Sequence, residues 1–195
     1  MKIKTINLYQ FHELTEEQQA KVLEKYRYLN DDIFESYAND EYNTLEIIES
    51  GFNNPTIHYS LGYCQGSGAC FDCDDFNFDL LLKDWQHPHK NWILNIIKNH
   101  CYGNIHEETR LYTNANSRYF VLSPDGVVDY GYYKNIDTAL YSAEQHIEQL
   151  RLELSEQLTN RLYEQLEWLR SDEQIAETLI ANEYYFNAET LEIEH

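Results

Sequence analysis

Tyr59-Ser60-Leu61-Gly62-Tyr63-Cys64-Gln65-Gly66-Ser67-Gly68-Ala69-Cys70-Phe71 interrupts a 195-residue chain that is otherwise written largely in helical spacing. Three glycines, two cysteines and three aromatic residues share this stretch. Glycine has no Cβ, so such a run serves backbone shape: positive φ, or room for another group to approach closely. Ile57, Tyr59, Leu61 and Tyr63 alternate as in a half-buried strand, and Ala69 to Phe76 reads as its return. The segment predicts a bulged hairpin whose small residues let the sheet pack closely on a helix, and it makes the chain α+β.

Toward the amino terminus, Thr15-Glu16-Glu17-Gln18 reads as a capping box, with Phe11 or Leu14 stapling the start of a helix that runs to about Asn30. Phe34, Tyr37, Ala38, Leu45 and Ile48 form a second amphipathic stretch that stops at Gly51, a C′ glycine, and the two helices are expected to pair as a hairpin over about 12–51. Toward the carboxy terminus, Trp92, Ile93, Ile96 and Ile97 suggest a helix ending near Tyr102-Gly103. Strands follow from Ile105 to Thr113, Ser117 to Leu122 and Val127 to Tyr132, the last two joined at Ser123-Pro124-Asp125-Gly126. From Leu140 to Arg170 leucines step by threes and fours in one long helix. Ser171-Asp172-Glu173-Gln174 opens another helix, and Tyr184 to Ile193 could add an edge strand. The expected architecture is one α+β domain with an antiparallel sheet of four to five strands at about 55–133, crossed by carboxy-terminal helices at about 137–181.

Acidic side chains number 34 against 14 basic ones, a net charge of −20. With 43% hydrophobic and 14% aromatic residues, this is the acidity of a folded surface and not of a disordered chain. Such a field repels nucleic acid, anionic lipid and phosphate, and attracts basic surfaces. No signal peptide or membrane-length apolar run is present, so a cytoplasmic chain with reduced thiols is expected.

The glycine segment has the outline of a phosphate loop but lacks its lysine and following helix. Cys64, Cys70 and Cys73, with His58 or Cys101, could supply soft ligands to zinc, yet their spacing fits no knuckle, and buried thiols are the simpler reading. His58, His87, His89, His100 and His106 offer no spacing that marks a partner for a cysteine nucleophile. No catalytic residue, metal or cofactor is therefore assigned. Asp72, Asp74, Asp75 and Asp79 form a dense carboxylate cluster without EF-hand order, read as a solvated turn or a partner-facing patch. On the long helix, Glu144, Glu148, Glu153, Glu156, Glu164 and Glu167 lie opposite the leucines with few lysines to offset them. Regularly spaced carboxylates of this kind can imitate a phosphate backbone.

Three blocks carry a resemblance: Phe11-His12-Glu13-Leu14-Thr15-Glu16 through Tyr26-Arg27, Ser60 to Phe71, and Tyr184-Tyr185-Phe186. The chain resembles a phage and prophage protein family, known mainly by pattern, whose middle block is written close to S-G-F/Y-x-S-Q-G-D-G-A-C/S-F. Cys64 stands where that family often has serine, Ser67 where it often has aspartate, and Glu189-Thr190 where it often has Asp-Gly. The resemblance implies a mobile element inside a bacterium, where small acidic proteins often inhibit host defence, as anti-CRISPR and antirestriction proteins do.

The expected function is a stoichiometric inhibitor that covers a basic surface of a bacterial defence protein or ribonucleoprotein complex, without direct nucleic-acid or membrane contact and with no oligomeric state specified. Two alternatives stay open. One is an enzyme or small-ligand-binding protein using the loop at 62–71, with Gln65, Gly66, Ser67, Gly68 and Cys70 beside Tyr63. The other is an antitoxin-like regulatory partner.

Overall fold

The computed structural model describes residues 7–62, 64–108, 112–125 and 135–194. In chain order the elements are β1 (Leu8–Gln10), a 3-10 turn (Phe11–Glu13), α1 (Glu16–Lys25), α2 (Asp31–Ala38), α3 (Glu41–Glu49), β2 (Phe52–Asn53), β3 (Thr56–Ser60), β4 (Gly68–Asp72), β5 (Asp75–Phe76), α4 (Phe78–Leu81), α5 (Lys90–His100), β6 (Cys101–Glu107), a second 3-10 turn (Ala115–Ser117), β7 (Arg118–Pro124), α6 (Ile136–Leu169), α7 (Asp172–Ala181), β8 (Tyr185–Asn187) and β9 (Ile193–Glu194). The fold class is α+β, with a long carboxy-terminal helix. No helix among the described residues is long and apolar enough to cross a membrane. The chain divides into two compact units, one of Met1–Tyr37 with Glu164–His195 and one of Ala38–Tyr163.

In the first unit the Thr15 hydroxyl accepts from the Gln18 amide while the Gln18 side chain accepts from the Thr15 amide, the expected capping box. Phe11 and Leu14 are buried with Val22, Ile175, Leu179 and Phe186 in one apolar cluster. α1 thus packs on α7. α1 also ends short of Asn30. The chain after Lys25 turns to serve the end of α6, where carbonyls lack intrahelical donors. Asn30 Nδ2 donates to the Leu169 carbonyl at 3.0 Å and Arg27 Nη1 to that of Arg170 at 3.1 Å, while Arg170 forks onto Asp31 at 2.9 and 2.6 Å. β8 is the middle strand of a β1-β8-β9 sheet, with Tyr9 opposite Phe186 and Phe186 opposite Ile193.

The stretch expected as one helix is two, α2 and α3, broken where Asp40 takes extended geometry as the N-cap of α3, the first helix of the second unit. Gly51 follows α3 at φ +106°, the predicted C′ glycine; a Cβ there would lie 2.7 Å from the Asn77 carbonyl oxygen. β3 pairs with β4, β2 with β5 and β6 with β7, all antiparallel. The expected return strand Ala69 to Phe76 is divided at Cys73 and Asp74, so that its end pairs with β2 instead. Phe52, Phe71, Phe76 and Phe120 make edge-to-face contacts with centroids 5.1 to 6.2 Å apart, joining three of the strand pairs. The strand expected at Val127 to Tyr132, and the end of the turn before it, lie outside the described residues.

Among the described residues the single sheet of four to five strands is replaced by four small sheets, and helix side chains explain two free edges. Glu144 accepts from the Leu122 amide and Glu148 from the Phe120 amide, each at 2.8 Å, and the Thr159 hydroxyl accepts from the Ala69 amide at 2.8 Å. Carboxylates four residues apart on a helix rise about 6 Å, close to the roughly 6.8 Å between alternate strand residues. The carboxylates thus stand where another strand would pair.

Candidate functional site

The glycine loop is shaped by what it touches. Gly66 is buried against the Tyr112 ring, and its carbonyl accepts from the Thr113 amide at 3.2 Å. Gly68, at φ +149°, brings β4 so close to the next segment that a Cβ would lie 3.1 Å from Asn114 Cα and 3.4 Å from the Thr159 hydroxyl. These contacts leave a cleft of about 280 Å³ lined by Ser67 and Gly68, by Asn114, Ala115 and Asn116, and by Glu156, Thr159 and Asn160 of α6. Gln65 is exposed and Cys70 fully buried; neither lines the cleft. Ser67 and Gly68 of the loop are thus brought together with Glu156 of the acidic helix.

The remaining acidic positions have separate fates. Glu148 accepts both Nε and Nη2 of Arg151 at 2.8 Å, and Arg151, fully buried, also reaches the carbonyls of Ala115 and Arg118. Glu144 and Glu148 are consequently committed to the fold and do not form part of an open acidic face. Glu153, Glu156, Glu164 and Glu167 are exposed. Asp72 is drawn in between Arg118 at 2.8 Å and His58 at 2.9 Å, Asp79 pairs with Lys98, and Asp75 accepts from Asn53 at 2.9 Å. Asp74 and Asp75 remain exposed. Among the described residues no group of three or more His, Cys, Asp or Glu side chains is placed to hold a metal.

A second cleft, of about 330 Å³, was not anticipated. It is lined by Ser50, Lys83, Asp84, His146, Gln149 and Glu153 with apolar Leu80, Leu81 and Leu150. Burial lowers the His146 pKa below its ordinary value, against the pull of Asp84. Its residues are scattered over 104 positions of sequence, from Ser50 to Glu153, and only the α4 to α6 packing gathers them.

The four cysteines are free, and their environments differ. Cys64 is exposed; its thiol lies 3.1 Å from the Ser67 hydroxyl, and that hydrogen bond followed by the Gly66 amide lowers its pKa. Burial raises the Cys70 thiol, and burial with the charges of Asp74, Asp72 and Asp75 pushes Cys73 up to about 12. Iodoacetamide at neutral pH is expected to modify Cys64 at least about tenfold faster than Cys70 or Cys73, because the thiolate is the nucleophile. Peptide mass spectrometry against time reads this; equal rates in the folded protein would contradict the placement of the thiols.

No protein-family model, curated protein or solved structure matches the chain.

Proposed function

We propose that this chain is an acidic binding protein that docks on a basic, nucleic-acid-handling surface of a partner and blocks it, in the setting of a mobile element facing a bacterial defence complex. The observation that carries the reading is the way the molecule spends its cations. Arg27, Arg118, Arg151, Arg161 and Arg170 are all ion-paired with the protein's own carboxylates, as are Lys21, Lys25 and Lys98. Positive charge is thereby used locally, and the acidic excess of a chain at −20 is left on the surface. Such a surface repels nucleic acid and steers toward whatever binds it.

The contact residues are Glu153 and Glu156 in one unit and Glu164 and Glu167 in the other, with Asp74 and Asp75 as a further exposed pair. The test is affinity capture from a bacterial host, followed by competition with duplex DNA and by salt titration. The expected partner is a nucleic-acid-binding protein that DNA displaces and salt releases. Glu153→Lys with Glu156→Lys, or Glu164→Lys with Glu167→Lys, should weaken it at least about tenfold. A partner that survives both charge reversals, or that DNA does not displace, overturns the reading.

A further inference from the structure

We infer that the cleft between the glycine loop and α6 is a recognition site for one arginine side chain, the anchor by which a basic partner is held; the identity of that role rests on the docking reading above, the site itself does not. Among the described residues, the only charged one lining the cleft is Glu156, which is exposed and has no ion pair with any of them. An anionic ligand would meet no cation among those residues. The hydroxyls that line it are already engaged: Thr159 donates to the Ser155 carbonyl and accepts from the Ala69 amide, each at 2.8 Å, and Ser67 accepts from the Cys64 amide at 3.1 Å. The acceptors that remain open are the Glu156 carboxylate and the side-chain amide oxygens of Asn116 and Asn160.

That set suits a guanidinium. Its planar fork places two parallel N–H donors on a carboxylate and directs the others outward, where carboxamide oxygens accept. Gly68 and Ala115 add no bulk to the lining, which leaves space for the aliphatic stem. A volume of about 280 Å³ falls below the usual range of about 300–1,000 Å³ for drug-sized ligands, so a single side chain fits the scale better than a nucleotide. Lysine carries the same charge as a point and cannot fork, so it should bind more weakly.

The experiment is a titration of the isotopically labelled full chain with acetyl-Gly-Arg-Gly-amide, followed by two-dimensional NMR, which needs no partner. The expected result is shifts confined to Gly68, the Asn114 to Ser117 backbone and the side-chain amides of Asn116 and Asn160. The citrulline peptide, an uncharged isostere, should give none. Glu156→Gln should weaken arginine binding about three- to fivefold, whereas Glu49→Gln, an equal change in net charge on an exposed position outside the cleft, should change it less than about twofold. Shifts spread evenly over the acidic surface, equal binding of citrulline, or equal loss in both variants overturns the site. If the peptide binds as expected but no basic partner is ever captured, the docking reading fails and the arginine site stands; if a partner is captured and the cleft stays silent, the reverse holds.

Discussion

Arg151→Met is expected to lower the stability of the folded chain by about 3–5 kcal/mol, the range for removing one member of a buried ion pair. The guanidinium is fully buried and forks onto Glu148, whose side chain is 19% exposed, while Nη2 also meets the carbonyls of Ala115 and Arg118 at 3.0 and 2.7 Å. Methionine fills much of the volume but leaves a carboxylate and two carbonyls without their donor. Glu148 retains only the Phe120 amide. Pairing the change with Glu148→Gln should recover part of the loss, because the charge left unpaired is gone. Urea unfolding followed by circular dichroism reads both; a loss below about 1 kcal/mol for Arg151→Met would mean that the pair is not buried as described.

Gly68→Ala is expected to cost about 1–3 kcal/mol and to cost more than Gly66→Ala, although a Cβ at Gly66 meets its neighbour at the shorter distance. The Cβ of an alanine at 66 would lie 1.8 Å from Tyr112 Cδ1, but Tyr112 is 48% exposed and its ring can swing into solvent. At 68 the neighbour is backbone, Asn114 Cα at 3.1 Å, and φ is +149°, which L side chains rarely adopt. Asn114 is tied in place by the Asn116 amide on its side-chain oxygen and by Ser117 on its carbonyl. Nothing there can move cheaply. The same unfolding measurement ranks the two variants, and an inverted order would show that crowding on Tyr112, not backbone shape, explains the glycines.

Local chemistry was legible wherever a few neighbouring residues decide the outcome. The Thr15 capping box, the Ser171 cap of α7, the glycine after α3 and the leucine repeat of α6 are all found. The leucine repeat is legible because its period runs through most of a 34-residue helix. The break at Asp40 was obscured because Phe34 to Ile48 keeps apolar spacing across it, and a cap residue is a weak signal against that background. β1 and β9 are too short to carry a pattern, and β1 is held by β8 from the far end of the chain.

For the candidate site, the sequence singled out Ser67, Gly68 and Glu156 but assigned them to two different sites, a loop and a helix face. Asn114, Asn116, Thr159 and Asn160 carried no signal at all, because isolated amides and hydroxyls are common on any surface. Likewise the glutamates of α6 are one residue type on one helix, yet Glu144 and Glu148 accept strand amides while Glu153 and Glu156 stay in solvent.

By itself, then, the amino-acid order determined the acidic surface, the helix ends and the presence of a glycine-shaped hairpin, since charge, capping and φ preference act within a few residues. Only the tertiary structure decided which carboxylates are spent holding strand edges, which cations they neutralise, and which polar side chains meet in one cleft. Those are distances between residues far apart in the chain, set by how α6 lies along β4 and β7, and no local pattern encodes them.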